Sequence, residues 1–216
     1  MSGIIMLAAG GIRDTITTAR ISAAMAGIWA AGGVGGQWDF TDPATLFTDD
    51  TGTTPVTSHG HSIGLVSDQS PNGLHLTQPT AANKPQWQDA GGLRSALFDG
   101  ADDFLRSTST SFDYTGSFTA VIGCMTPDAA GVRALFGKYT HGQDHQGYDV
   151  ILQAGIPRIT LRGTSNIDTG DTGFTSVANQ RKAIVFRCSP TGVVREMSGS
   201  RVTTPGTWAA TVSPHP

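Results

Sequence analysis

Apolar positions along this chain come in short runs, each closed by Gly, Pro, Asn, Asp or Ser, which is the punctuation of β-structure. The pattern predicts strands at residues 64–66, 74–77, 94–98, 104–106, 118–125, 134–138, 148–153, 158–162 and 183–188. Residues 118–123 and 183–186 are almost continuously apolar and read as central strands. Tyr148, Val150 and Leu152 alternate with Asp149, Ile151 and Gln153, which turns one face of that strand to a core and the other to solvent. Strands this short and this regularly spaced suggest a sandwich or a barrel. No stretch carries the pattern of a long helix.

Residues 1–36 break the pattern. Their only charges are Arg13, Asp14 and Arg20, and the rest is mainly Ala, Gly, Ile, Met, Thr and Ser. No basic residue precedes the apolar start, as a secretory signal requires, and the run from Ile21 to Val34 is shorter than a membrane span and interrupted by glycines. The segment therefore reads as an anchoring arm, extended or partly helical, without membrane insertion. It would bury itself against another protein or another copy, either by strand addition through Ile4, Ile5 and Leu7 or by packing Ile21, Met25, Ile28 and Trp29, which share one helical face. A glycine-rich hinge at residues 32–36 would connect it to a body at residues 37–216.

Composition narrows the chemistry. Charged residues are 14% of the chain and the net charge is −3; no cluster of Lys and Arg interleaved with aromatics offers a nucleic-acid surface. Sixteen acids are Asp and one, Glu196, is Glu, a bias that suits turns, where Asp bonds neighbouring backbone. Cys124 and Cys188 each end an apolar run. If those runs pair antiparallel, the thiols lie about 20 Å apart and cannot form a disulfide.

The stretch Ala96-Leu97-Phe98-Asp99-Gly100-Ala101-Asp102-Asp103-Phe104-Leu105 concentrates three carboxylates. Neighbouring strand residues point to opposite faces, so the acids read as turn formers, with Phe98 and Phe104 anchoring the core on either side. Glycosidases need two carboxyls facing each other across the sugar, and Glu196 has no acidic neighbour in sequence. No catalytic residue is expected. His141, Asp144, His145 and Asp149 fall around an expected hairpin loop, and His59 and His61 in another. Asp68, Ser70 and Asn72 alternate oxygen ligands as a calcium loop does, without the closing Glu of an EF-hand; an Asx-rich tight turn is the alternative. No cofactor is expected apart from that option of calcium.

Several segments together carry a resemblance: Trp38-Asp39-Phe40-Thr41-Asp42, Gly64-Leu65-Val66-Ser67-Asp68 through His75, Leu97 through Leu105, Phe118-Thr119-Ala120-Val121, Leu135-Phe136-Gly137-Lys138, Gly147-Tyr148-Asp149-Val150 and Ala183-Ile184-Val185-Phe186. From Gln37 to about Ser189 the chain resembles the concanavalin A-like (laminin G-type) jelly rolls of bacteriophage tail and capsid proteins. The resemblance implies an all-β sandwich of two antiparallel sheets. Family members close the sandwich with further strands near the position of Thr207 and Trp208, whereas this chain ends in Ser-Pro-His-Pro, so a body lacking its last strands is one expectation. The enzymes of this fold use E-x-D-x-x-E, which is absent here.

The expected role is that of a virion protein: an arm docks on other capsid or tail proteins, and the body is displayed as decoration, spike or host-attachment module, in a homo-oligomer. A free carbohydrate-binding module is the alternative, with Trp87, Tyr114, Tyr139 and Trp208 as stacking candidates for a host-surface glycan.

Overall fold

The computed structural model describes the backbone of residues 3–8 and then residues 25–109, 112, 114, 116–126, 130–139, 147–163, 165–170, 174, 181–197 and 200–207. Its strands are β1 (Gly3–Ala8), β2 (Val34–Asp39), β3 (Leu46–Phe47), β4 (Leu65–Val66), β5 (Leu76–Thr77), β6 (Gln86–Ala90), β7 (Leu93–Leu97), β8 (Phe118–Cys124), β9 (Val132–Tyr139), β10 (Gly147–Gln153), β11 (Ile156–Arg162), β12 (Ile167–Asp168), β13 (Lys182–Ser189), β14 (Gly192–Met197) and β15 (Ser200–Pro205). The fold is all-β, and every strand pair of known register is antiparallel. Among the described residues no helix is long and apolar enough to cross a membrane.

The chain forms two compact units, Met6–Ser109 and a second made of Met1–Ile5 with Thr110–Pro216. The first, the N-terminal unit, holds a small sheet in the order β3-β4-β5 and a β6-β7 hairpin. Its core gathers Met25, Trp38, Phe40, Leu46, Val56, Ile63, Val66, Leu74 and Trp87. Buried indoles need a partner for their N–H: Trp38 donates to the Leu74 carbonyl at 2.9 Å and Trp87 to the Phe40 carbonyl at 3.2 Å. Gly91 and Gly92, both at positive φ, close the β6-β7 hairpin, as a two-residue turn matched to strand twist requires.

Two expectations are corrected in this unit. The run expected to hinge at residues 32–36 enters β2, where Gly35 and Gly36 are buried; a Cβ on Gly36 would run into the Trp38 ring, so the glycine serves close packing. Phe98 and Phe104 are not core anchors: they are 42% and 43% exposed. Phe98 meets the buried Phe40 ring only edge to face, with centroids 6.3 Å apart, and Arg106 pairs with Thr77 through an isolated bridge rather than a strand.

The C-terminal unit contains two sheets. One runs β15-β14-β13-β8 with β1 beside β8, and the other β12-β11-β10-β9. Burial alternates along β8, β10, β11 and β14, so each sheet turns one face inward. Between them Phe118 of β8 meets Tyr148 of β10 with ring centroids 4.8 Å apart, and Phe112, Tyr114 and Phe136 complete the aromatic cluster. Ala154 and Gly155, both at positive φ, close the β10-β11 hairpin. β14 and β15 extend the first sheet past Ser189, where the resemblance ended. β8 and β13 pair as expected: Cys124 stands opposite Lys182, Cys188 opposite Phe118, and both thiols are free.

Candidate functional site

The N-terminal unit carries an open groove of about 640 Å³ lined by Pro43, Ala44, Pro55, Val56, Thr57, His59, Trp87, Asp89 and Arg94. Its polar edge derives from the β6-β7 hairpin. Asp89 and Arg94 face each other in register, and Arg94 Nε meets Asp89 Oδ2 at 3.1 Å. The guanidinium lies 5.8 Å from the Trp87 ring centroid, within cation–π range. His59 Nδ1 accepts the Asp89 N–H at 3.1 Å and Asp89 Oδ1 accepts the Gly92 N–H at 3.2 Å. Prolines and Val56 supply the apolar wall. This geometry suits a neutral hydroxylated ligand: the charges are balanced within the site, and half-exposed Arg94 keeps donors beyond the one that meets Asp89.

Three aspartates outside the groove, Asp68, Asp49 and Asp99, are engaged mainly by backbone amides. Asp68 Oδ1 accepts the N–H of Gln37 and of Ser70, both at 2.8 Å, and Oδ2 accepts the Ser70 hydroxyl at 2.6 Å and the Leu74 N–H at 2.8 Å. The Ser70 hydroxyl, whose one hydrogen goes to Asp68, accepts the Asn72 N–H at 3.2 Å, and Asn72 Nδ2 donates to the carbonyls of Gly33 and Gly35. The three residues considered for calcium thus do come together, but as a clasp that ties residues 33–37 to the 68–74 loop. Asp49 likewise accepts from the backbone of Thr51, Thr53 and Thr54 and from two threonine hydroxyls; the Thr51 hydroxyl first, then the amides, hold its carboxyl far below the usual range. Asp99 Oδ1 accepts the amides of Ala101, Asp102 and Asp103, and Asp103 returns a bond to the Asp99 N–H. Those aspartates are turn formers, as their sequence context suggests.

Nucleophile chemistry finds the same use of side chains. Glu196 pairs with Arg187 at 2.5 Å and Arg201 at 3.6 Å. Burial pushes the Cys124 thiol up to about 11 and Cys188 further still, leaving both protonated at neutral pH.

Two of the stacking candidates have described side chains, and each is engaged within its own unit. Trp87 is 4% exposed and sits beneath the groove edge, and Tyr114, in the other unit, stacks on Phe118 and Tyr148 in the aromatic cluster. The side chain of Tyr139 and all of Trp208 lie outside the described residues, as do His141, Asp144 and His145. Of the anchoring candidates, Ile4, Ile5 and Leu7 lie in β1, their side chains outside the described residues, as is Ile21. Met25 is buried in the N-terminal unit, Ile28 is half-buried and Trp29 donates to Gln37 at 3.3 Å, so these three are held by the chain's own fold. Sequence reading missed the roles of His59, Asp89 and Arg94, although the Gly-Gly turn that places Arg94 opposite Asp89 is a hairpin signal.

No family model, no curated protein and no solved structure matches this chain.

Proposed function

We propose that this chain is a structural subunit of a bacteriophage virion: a body of concanavalin A-like jelly-roll type, displayed on the particle, with an N-terminal arm docked on neighbouring capsid or tail proteins. The arm is narrowed to the residues ahead of Met25, because Met25 itself is buried in the core of the N-terminal unit. The observation that carries the reading is how this body uses its reactive groups. Asp49, Asp68 and Asp99 tie loops, Glu196 ties two arginines on a sheet face, and large apolar side chains stand exposed instead. That division suits a rigid display module. β1 lies along the chain's own β8, so the docking residues are those between it and Met25. The test is to isolate native particles and look for the chain by mass spectrometry, then repeat with residues 9–24 replaced by a Gly-Ser linker of equal length, which keeps β1. The full chain is expected on particles and the linker variant folded but missing from them; a chain absent from particles, or a linker variant present on them, would overturn the reading.

A second reading, a carbohydrate-binding module, draws on the groove beside Trp87 and Arg94. A glycan array gives the test: binding weakened about tenfold or more by Arg94→Ala supports it, and a blank array ends it.

A further inference from the structure

Asn72 and Gly73 form the chain's one Asn-Gly step; the other asparagines, Asn83, Asn166 and Asn179, precede Lys, Ile and Gln. The step lies at the exposed end of the Asp68 clasp. Asn72 Nδ2 donates to the Gly35 carbonyl at 2.7 Å and to the Gly33 carbonyl at 3.2 Å, 37 and 39 positions earlier in the chain. Its N–H donates to the Ser70 hydroxyl at 3.2 Å, and that hydroxyl donates to Asp68 at 2.6 Å. Gly73 follows at a φ of 65°, and apart from its chain neighbours no atom stands within 4 Å of where a Cβ there would be. The backbone nitrogen that follows Asn72 is therefore crowded neither by a side chain of its own residue nor by a neighbour on that side.

We propose that Asn72 is a site of spontaneous deamidation and that the clasp sets its rate. The chemistry needs only water. The Gly73 amide nitrogen gives up its proton to solvent and attacks Asn72 Cγ; the N–Cγ bond forms, the Cγ–Nδ2 bond breaks, and a proton returns on the ammonia that leaves. Water then opens the cyclic imide at either carbonyl, giving aspartate or isoaspartate at position 72. Glycine, with no Cβ, hinders such a close approach least. In the native chain two bonds oppose it. Ring closure swings Cγ back onto the next amide, and a carboxamide held on the carbonyls of Gly33 and Gly35 cannot make that swing until those bonds open. The reaction therefore draws on the open state of the clasp, and its rate follows the population of that state. Once formed, the product cannot reclose it. Aspartate turns an oxygen where the donor stood, leaving the Gly33 and Gly35 carbonyls without it, and adds a second carboxylate to the clasp that holds Asp68. Isoaspartate also lengthens the backbone just ahead of Leu74, whose N–H bonds to Asp68 and whose carbonyl accepts the buried Trp38 indole. The result is a one-way loosening of residues 33–37 from the 68–74 loop.

The experiment incubates the full chain at mildly alkaline pH, native or unfolded in guanidinium chloride, and follows each asparagine in peptide maps by mass spectrometry. In the unfolded chain Asn72 should convert ahead of Asn83, Asn166 and Asn179. In the native chain it should convert about tenfold more slowly or slower still. Asp68→Asn and Ser70→Ala weaken the clasp and keep the Asn-Gly step; each should raise the native rate about threefold or more, with circular dichroism showing that the variant is folded during incubation. Asn72→Asp, which installs the product, should lower Tm by about 4 °C. An unfolded chain in which Asn72 converts no faster than the other asparagines would overturn the site. A native chain that converts as fast as the unfolded one, or folded clasp variants that keep the parent's rate, would overturn control by the clasp. An Asn72→Asp protein as stable as the parent would overturn the one-way loosening.

Discussion

Arg195 Nη1 donates to the carbonyl oxygen of Pro157 across 2.7 Å, in an interior where Arg195 exposes none of its surface. The bond runs from β14 in one sheet to β11 in the other. The same guanidinium reaches the carbonyls of Gly170 at 3.1 Å and Thr169 at 3.2 Å and lies 5.3 Å from the Phe174 ring. A planar fork with several donors can satisfy three carbonyls at once, which an ammonium on a flexible stem does poorly. Arg195→Met would leave those carbonyls buried without this donor and should cost about 3 kcal/mol. Arg195→Lys should cost nearly as much, because it keeps the charge and loses the fork. Urea midpoints of the three proteins check this; a lysine variant as stable as the parent would show that charge, not geometry, is what the site requires.

The Asp68 clasp gives a second expectation. Four protein donors surround its two oxygens, and an amide in place of one oxygen would confront N–H groups with a donor. Asp68→Asn should cost about 2 kcal/mol, read as a fall in Tm. Because the acceptor positions are filled from within, calcium or EDTA should leave the Tm of the parent chain where it is. A calcium-induced rise would show the clasp opening to a cation.

Acid should weaken the fold from a predictable point. Partial burial pushes the Asp168 carboxyl up, but the Arg158 bonds, the Gly170 amide and the charges of Arg158 and Arg162 outweigh it and hold the group below the ordinary aspartate value of 3.8. Asp49 and Asp99 are lowered chiefly by the Thr51 hydroxyl and the Ala101 amide respectively, and Glu196 by its bond to Arg187. A carboxyl lowered on folding contributes stability that is present above its unfolded pKa and is lost as pH falls toward the folded value. Tm should therefore be flat above about pH 5 and fall below about pH 4, with a shallower fall in Asp168→Asn and Asp49→Asn. A Tm that rises on acidification would contradict these signs.

The thiols should be inert together. Cys124 is held up to about 11 by burial and Cys188 is raised further, while the β8-β13 register sets them six positions apart, about 20 Å. A thiol reagent at pH 8 should react slowly with the native chain and quickly after denaturation, and an oxidant should produce no internal disulfide. Rapid native labelling of Cys188 would mean that the interior opens far more readily than its packing implies.

Much of the C-terminal unit was legible because its strands obey a two-residue period. Tyr148, Val150 and Leu152 are buried in the alternation their spacing predicts, and the 118–123 and 183–186 runs became neighbouring strands. The short strands of the N-terminal unit show why patterning weakens. β6 carries Trp87 buried among Gln86, Gln88 and Asp89, a mostly polar run whose strand character comes from the Gly-Gly turn and its partner strand. β2 hides behind glycines that read as hinge and serve as packing. Phe98 and Phe104 failed for another reason: hydrophobicity says which side chains favour burial, not whether the turn between them aims inward. At the groove, His59, Asp89 and Arg94 are distant in sequence or ordinary in type, and only the folded hairpin brings them to one wall.

Glycines offer a paired prediction with opposite signs. Gly64 lies where the chain passes close to a neighbouring backbone: a Cβ would stand 2.5 Å from the Thr48 carbonyl oxygen and 2.7 Å from the Asp49 carbonyl carbon. Backbone cannot swing aside as a flexible side chain does, and the Gly64 N–H to Phe47 bond at 2.7 Å fixes the approach. Gly64→Ala should thus cost about 1–3 kcal/mol. Gly27 is the reverse case. It sits in the helix of residues 25–30, at an exposed position with no atom within 4 Å of where its Cβ would be, so alanine adds no clash and removes conformational freedom from the unfolded chain. Gly27→Ala should stabilise by about 0.5–1 kcal/mol. Urea titrations of both variants beside the parent read the two signs in one experiment. A Gly64→Ala protein as stable as the parent would mean that the β3-β4 approach is looser than these distances imply.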